Sequence, residues 1–266
     1  MAEVRNPWAR FLARSNEDPV KALGMAGLVA LGAALTVSTT AMLLEPRQAA
    51  NLEAARAARM QAMVDALPGL RMVMEEAGVT ELQSHLVDLE TGRVLPGATS
   101  GLDPVQAARG PDTGVELPPE ADIAGLGRRE KVAAIHLLER DGVPVLLVLP
   151  MRGTGYQSTI HALLALEADL DTVAALTVTE QGETPGLGAQ IERPDWQALW
   201  PGRRITDDSG AIRIEVVRGA ATTPFEVDGI SGATRTGNGI TAMLRFWMGP
   251  WGYGPFLDRL AEEGMG

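Results

Sequence analysis

The sequence predicts an α+β protein, with one N-terminal transmembrane helix followed by a mixed domain of helices and strands. Three observations carry this expectation. The 23 residues from Ala22 to Leu44 contain no charge, and a run of about 20 apolar residues crosses a bilayer as a helix. Val132 to Leu138 and Val143 to Leu149 are β-forming runs joined through Asp141-Gly142, a good hairpin signal. The small-residue stretch Asp228 to Gly239 precedes an apolar run from Ile240 to Met248 and reads as a loop feeding a helix N-terminus.

Composition bounds the function. With 266 residues the chain has room for one large or two modest domains and a proper core. A net charge of −11 argues against nucleic acid as a partner and against a basic patch that would hold an anionic membrane face. Cysteine is absent, so the chain builds no disulfide, thiolate metal site or iron–sulfur cluster. His85, His136 and His161 lie far apart without metal-ligand spacing, and His136 reads as a structural histidine in a strand. Neither a Gly-x-x-x-x-Gly-Lys phosphate loop nor a Gly-x-Gly-x-x-Gly turn after a strand occurs.

Taken in order, residues 1–21 form a polar segment of mixed charge. Residues 22–44 form the span; a cleaved signal peptide is the rival, but its apolar region is usually shorter and nearer the N-terminus. Arg5, Arg10, Arg14 and Lys21 precede the span and Arg47, Arg56 and Arg59 follow it, so the positive-inside bias is weak. Residues 45–80 read as a helical connector, Ala-rich from Arg47 to about Leu67, broken at Pro68-Gly69 and resumed from Leu70 to Ala77. The domain then covers 81–266. Leu82 to Leu89 reads as a strand, with Glu90-Thr91-Gly92-Arg93 turning into a short partner. Residues 96–129, rich in Gly, Pro and Asp, read as a long loop region. Gly153 to Thr159 reads as a small-residue loop, and Leu163 to Leu166 as the start or end of a short element. Val173 to Glu180 and Ile212 to Val217 read as strands by their alternation, and Trp196 and Trp200 flank a short helix ending at Pro201-Gly202. The aromatics from Phe246 to Phe256 read as a packed C-terminal segment over the core.

The stretch around Thr234 carries the chemistry. By spacing alone it is an ordinary capped helix, with Thr234 or Thr236 placed as the cap. Free amides at such an end attract a phosphate, and Gly232 leaves room beside the Thr234 hydroxyl. The loop Glu183-Thr184-Pro185-Gly186-Leu187-Gly188 is, by itself, a tight turn.

These segments resemble a known family. Asp228-x-x-Ser231-Gly232-Ala233-Thr234 is similar to the acceptor motif at which a flavin transferase esterifies the final Thr with FMN. The surroundings resemble the C subunit of the Na⁺-translocating NADH:quinone oxidoreductase. The similarity includes Phe246-Trp247-Met248-Gly249, Gly252-Tyr253-Gly254-Pro255-Phe256-Leu257, Glu180 to Gly188 and, less sharply, Leu163 to Glu167. The resemblance implies an FMN-binding domain with covalent FMN on Thr234, flanked by Ser231, Gly232, Ala233 and Thr236. It implies flavin contacts from Thr184, Leu187 and Gly188, and from Ser158 and Thr159, with Asp228 read by the transferase. Gln157 and Gly237 depart from the family pattern. The implied protein sits in the bacterial inner membrane with residues 1–21 in the cytoplasm and its domain on the periplasmic side. It has no acid–base catalyst or metal of its own and works with the other subunits of a complex that couples NADH oxidation and quinone reduction to Na⁺ export. The flavoprotein subunit of the Rnf electron-transport complex shares the anchor and the acceptor motif, while the Phe246–Leu257 tail favours the quinone reductase. A tethered scaffold without a cofactor, whose Ser-Gly-Ala-Thr only caps a helix, is the alternative of another class.

Overall fold

The structure is a computed structural model that describes residues 7–36, 38, 83–97, 102–140 and 143–263. It divides into two units, Met1–Met60 and Gln61–Gly266. The connector helices expected over 45–80, and the end of the expected span at 39–44, lie outside the described residues.

In the first unit, α1 (Pro7–Leu12) is followed by α2 (Pro19–Thr36). Asp18 starts α2: its carboxylate accepts from the Val20 amide at 2.8 Å, with Pro19 at the first helical position, where a missing N–H costs nothing. The Phe11 ring lies so close to Gly24 that a Cβ there would come within 2.5 Å of it. The Lys21 ammonium donates back to the carbonyls of Leu12 and Arg14 at 3.0 and 2.7 Å. The eighteen residues of α2 have a mean hydropathy of 1.5 and are nowhere buried by protein, so α2 is long and apolar enough to cross a membrane. It begins three residues before the Ala22 boundary read from charge, because the Pro19 start and the Asp18 cap set the helix end.

The second unit is built on a six-stranded antiparallel sheet. Its strands are β1 (Gln83–Asp88), β2 (Val94–Leu95), β5 (Val132–Arg140), β6 (Val143–Thr154), β7 (Thr159–Glu167) and β8 (Val173–Glu180), in the order β2-β1-β5-β6-β7-β8. The central strands alternate buried and half-exposed residues, as in β7, where Ile160, Ala162 and Leu164 face the core. The region read as a loop over 96–129 carries more structure than expected. Asp103 caps a short helix, α3 (Pro104–Arg109), accepting from the amides of Val105 and Gln106, and β3 (Gly114–Glu116) pairs with β4 (Arg128–Glu130). A six-residue helix and three-residue strands are too short to show a period. The small-residue loop expected from Gly153 to Thr159 shrinks to a turn at 155–158, because Gly153 and Thr154 complete β6 and Thr159 opens β7. Leu163 to Leu166 is the interior of β7 rather than its end. The strand expected over Ile212 to Val217 pairs as a ladder only at β9 (Glu215–Val216), which lies parallel to β10 (Glu226–Val227).

Across the sheet runs α5 (Thr234–Met248), after the short helix α4 (Pro194–Gln197) and before α6 (Gly254–Glu263). Small residues let α5 approach closely: a Cβ on Gly153 would meet Met243 at 2.8 Å, and one on Gly239 the carbonyl of Thr154 at 2.6 Å. Trp247 Nε1 donates to the Arg152 carbonyl at 2.7 Å and the Tyr253 hydroxyl to that of Pro150 at 2.6 Å, so the buried aromatics of the C-terminal segment are also tied to β6. That sequence expectation holds. Sheet and helix together fix where the N-terminus of α5 emerges.

Candidate functional site

Thr234 is the first residue of α5, and the cap position is Ala233, whose side chain accepts nothing. The expected side-chain cap is therefore absent: Thr234 lies within the helix, and Thr236 is turned inward. The Thr236 hydroxyl donates to Glu183 Oε2 at 2.6 Å and is buried. Thr241, a turn later, is likewise engaged, donating to the Gly237 carbonyl and accepting from the Val216 amide. The half-buried Thr234 hydroxyl differs: it bonds to none of the described residues. It borders a cleft of about 280 Å³ lined on one side by Val216 to Gly219 and on the other by Gly229 to Thr234, Gly237 and Asn238.

The glycines explain how this corner is shaped. Gly232 has φ +78°, and a Cβ there would meet only Leu187, at 3.1 Å. In the adjacent loop, Gly186 takes the left-handed conformation at φ +76°, whereas the constraint at Gly188 is space: a Cβ would lie 2.6 Å from Thr236 Oγ1 and 2.9 Å from Glu183. The Thr184 carbonyl accepts from the amides of Leu187 and Ala189 and closes the turn. This leaves Leu187 44% exposed beside Gly232, a large apolar side chain next to the candidate acceptor.

Glu183, to which the sequence assigns no role, joins these segments. Its Oε1 accepts from the Gln157 amide at 2.9 Å and from the Ser158 amide and hydroxyl at 3.1 Å each. Oε2 accepts from the Tyr156 amide at 3.1 Å and from Thr236. Burial pushes the carboxyl pKa up, but the bonds from Thr236 and from the Gln157, Tyr156 and Ser158 amides outweigh it and hold the pKa below the ordinary value. Ser158 also accepts from the Gly182 amide at 2.8 Å. The structure thus brings Ser158, Thr184, Leu187, Gly188, Ser231, Gly232, Ala233, Thr234 and Thr236 to one corner. Thr159 stands apart as the exposed first residue of β7, paired with Thr154. The Asp228 carboxylate accepts from the Ala221 amide at 2.7 Å, and its carbonyl from Trp196 Nε1 at 3.0 Å, so it holds the loop on the cleft's far side. Outside the corner, the Arg235 guanidinium lies 5.1 Å from the centre of the Tyr156 ring. No local signal in the sequence marks Glu183, Tyr156 or Arg235, since their partners come from distant segments.

The residues present suit a phosphorylated group. The helix N-terminus has no side-chain cap, an unengaged hydroxyl stands at its first residue, and the glycine beside it leaves space.

Comparison with known proteins places this arrangement. A family model described as an FMN-binding domain matches residues 155–249, from the Gly155 turn to the end of α5. The C subunit of the Na⁺-translocating NADH-quinone reductase of Yersinia pestis is 37% identical over 258 residues, covering 94% of this chain and 96% of that protein. The corresponding protein of Vibrio alginolyticus is 34% identical over 253 residues, covering 94% and 98%. The crystal structure of Shewanella oneidensis NqrC aligns with a TM-score of 0.66 at 31% identity, over 73% of this chain and 88% of that one. Fold and similarity over nearly the whole chain agree, and the chain belongs to the NqrC family, the C subunits of the Na⁺-translocating NADH-quinone reductases.

Proposed function

We propose that this chain is the electron-transfer subunit of a membrane NADH-quinone reductase and carries FMN covalently on Thr234. One observation carries the placement. Of the three threonines of α5, Thr236 and Thr241 spend their hydroxyls inside the fold, and Thr234 presents its own to the cleft. A bound flavin supplies the electron-accepting and electron-donating chemistry. The chain's own residues attach, orient and shelter it. The uncapped amides of α5 favour the negative charge of a phosphodiester at its first residue. Ser231, Gly232 and Ala233 keep the approach to the hydroxyl narrow but open. Thr184 and Gly188 shape the loop that presents Leu187 beside it, while Ser158 ends the neighbouring turn and Thr159 follows it. Asp228 serves recognition by the flavin transferase. The partners are the other subunits of the complex, whose reaction couples NADH oxidation and quinone reduction to Na⁺ export.

Intact-mass measurement after co-expression with a flavin transferase tests the assignment. The wild-type chain gains one FMN adduct, and Thr234→Ala gains none while keeping its stability to within about 0.5 kcal/mol, because Thr234 caps nothing. An adduct on Thr234→Ala, or none on the wild type, defeats the assignment. The placement of the C-terminal domain on the periplasmic side rests on the family, with α2 as the membrane anchor. A reporter active only outside the cytoplasm, fused after Gly266, should be active; activity of a cytoplasm-only reporter at the same site reverses the orientation.

A further inference from the structure

We infer that Glu183 is the positioning residue of the acceptor corner: its carboxylate clamps the 155–158 turn, the 183–188 loop and the first turn of α5 to one another, and so sets where the Thr234 hydroxyl stands. The inference rests on the reading of Thr234 as the flavin acceptor. Glu183 is only 4% exposed, yet each of its five hydrogen bonds comes from a neutral donor. Four come from three consecutive residues, 156–158, which wrap one carboxylate as a turn wraps an anion. The fifth comes from Thr236, two residues beyond the acceptor on the same helical turn. Gly188 packs against both ends of that fifth bond, with no room for a Cβ on either side. The exposed contact of Arg235 with the Tyr156 ring closes the same junction from outside, linking the residue next to Thr234 with the second residue of the clamped turn.

A buried carboxylate held by neutral donors exchanges badly for its amide. In Glu183→Gln one oxygen becomes an NH₂ group, and two donors then face each other across a buried contact. The turn and the helix start are released from each other, and a Thr234 oxygen misplaced by even about 1 Å for attack on the FMN phosphorus of FAD, where the P–O bond to the departing AMP breaks and the hydroxyl proton is lost, can react about 10²-fold more slowly.

The experiment co-expresses the full chain with the flavin transferase and follows the FMN adduct by intact mass over time. Amide hydrogen exchange is followed in parallel. Glu183→Gln is expected to slow labelling by about tenfold or more and to speed exchange of the amides of residues 156–158. Thr236→Val, which removes only the fifth bond, is expected to slow labelling less, while Thr236→Ser, which keeps the hydroxyl, labels as the wild type does. This last pair decides the matter should Glu183→Gln fail to fold, because Ser and Val both change the side chain but only Ser can donate. Wild-type labelling by Glu183→Gln, or equal labelling by the Ser and Val variants, overturns the inference and leaves the acceptor assignment intact. A wild-type chain that never acquires the adduct removes the acceptor assignment instead, while the exchange of 156–158 in Glu183→Gln still shows whether the clamp exists.

Discussion

Among the described residues the domain buries two carboxylates, Glu130 and Glu183, and they are neutralised in opposite ways. Glu130, 2% exposed, meets the guanidinium of Arg152 in a two-pronged ion pair at 2.8 and 2.6 Å. Arg152 in turn lies 5.6 Å from the centre of the Trp247 ring. Glu183 has no such counter-ion and is held by five neutral donors. The first arrangement fastens the β3–β4 hairpin onto β6, where Thr154 also donates its hydroxyl to the Gly125 carbonyl at 2.8 Å. The second ties two loops to the first turn of α5, and it is this turn that borders the cleft. A charge balanced by a charge is a device of stability with no dependence on the site. A charge balanced by backbone amides makes the local conformation of those amides conditional on itself.

The largest expected effect lies at the ion pair. Arg152→Ala leaves Glu130 charged, buried and unpaired, so the domain should lose about 3–5 kcal/mol in urea unfolding. The paired replacement Arg152→Met with Glu130→Leu removes both charges and should recover most of the loss. A single variant costing less than about 1 kcal/mol would show that the pair is solvated, and the contrast with Glu183 would then dissolve.

A smaller effect is expected at Gly188. Because its φ is not in the left-handed range, a side chain there is opposed by space alone, from Thr236 and from Glu183. Gly188→Val should therefore cost about 1–3 kcal/mol as overpacking, and should speed amide exchange at 155–158 along with it. Equal destabilisation with no change at those amides would mean that the loop and the turn are not mechanically joined.

How much of this was legible in the sequence depends on distance along the chain. The strand Val173–Glu180 and the antiparallel pairing of the Val132 and Val143 runs follow from local alternation, and both stand as expected, while the Asp141-Gly142 turn between those runs lies outside the described residues. The apolar face of α5 is equally local. Glu183 is not: its donors lie 25 to 53 residues away, and an acidic residue before Thr-Pro-Gly looks like any solvated turn. The cap failed for a related reason. Ser/Thr at a helix start predicts a side-chain cap when the helix end is free, but here Gly188 and Glu183 turn Thr236 inward, and the left-handed Gly232 brings the chain in with Ala233 at the cap.

The smallest effect concerns a half-buried group, His136, which has neither a counter-ion nor a ring of donors among the described residues. Its Nδ1 lies 2.8 Å from the Ser84 hydroxyl across the β1–β5 ladder, and burial lowers its pKa from 6.5 to about 4. In the unfolded chain the imidazole gains a proton near pH 6.5, whereas in the fold it stays neutral until about pH 4. Between these values the unfolded state binds more protons, so stability falls as pH falls, by about 1 kcal/mol per unit within that window. Below it both states are protonated and the histidine contributes no further slope. Glu183, with its folded pKa depressed, contributes stability above its ordinary value of 4.5 and loses it only as pH falls further, so over the upper part of the histidine window it adds no slope. Urea unfolding of wild type and His136→Gln at pH 7, 6 and 5 separates them. The variant should show a flatter profile between pH 6 and 5, and an unchanged slope there would mean that His136 takes up its proton within the fold, with Ser84 supplying an acceptor oxygen to the imidazolium.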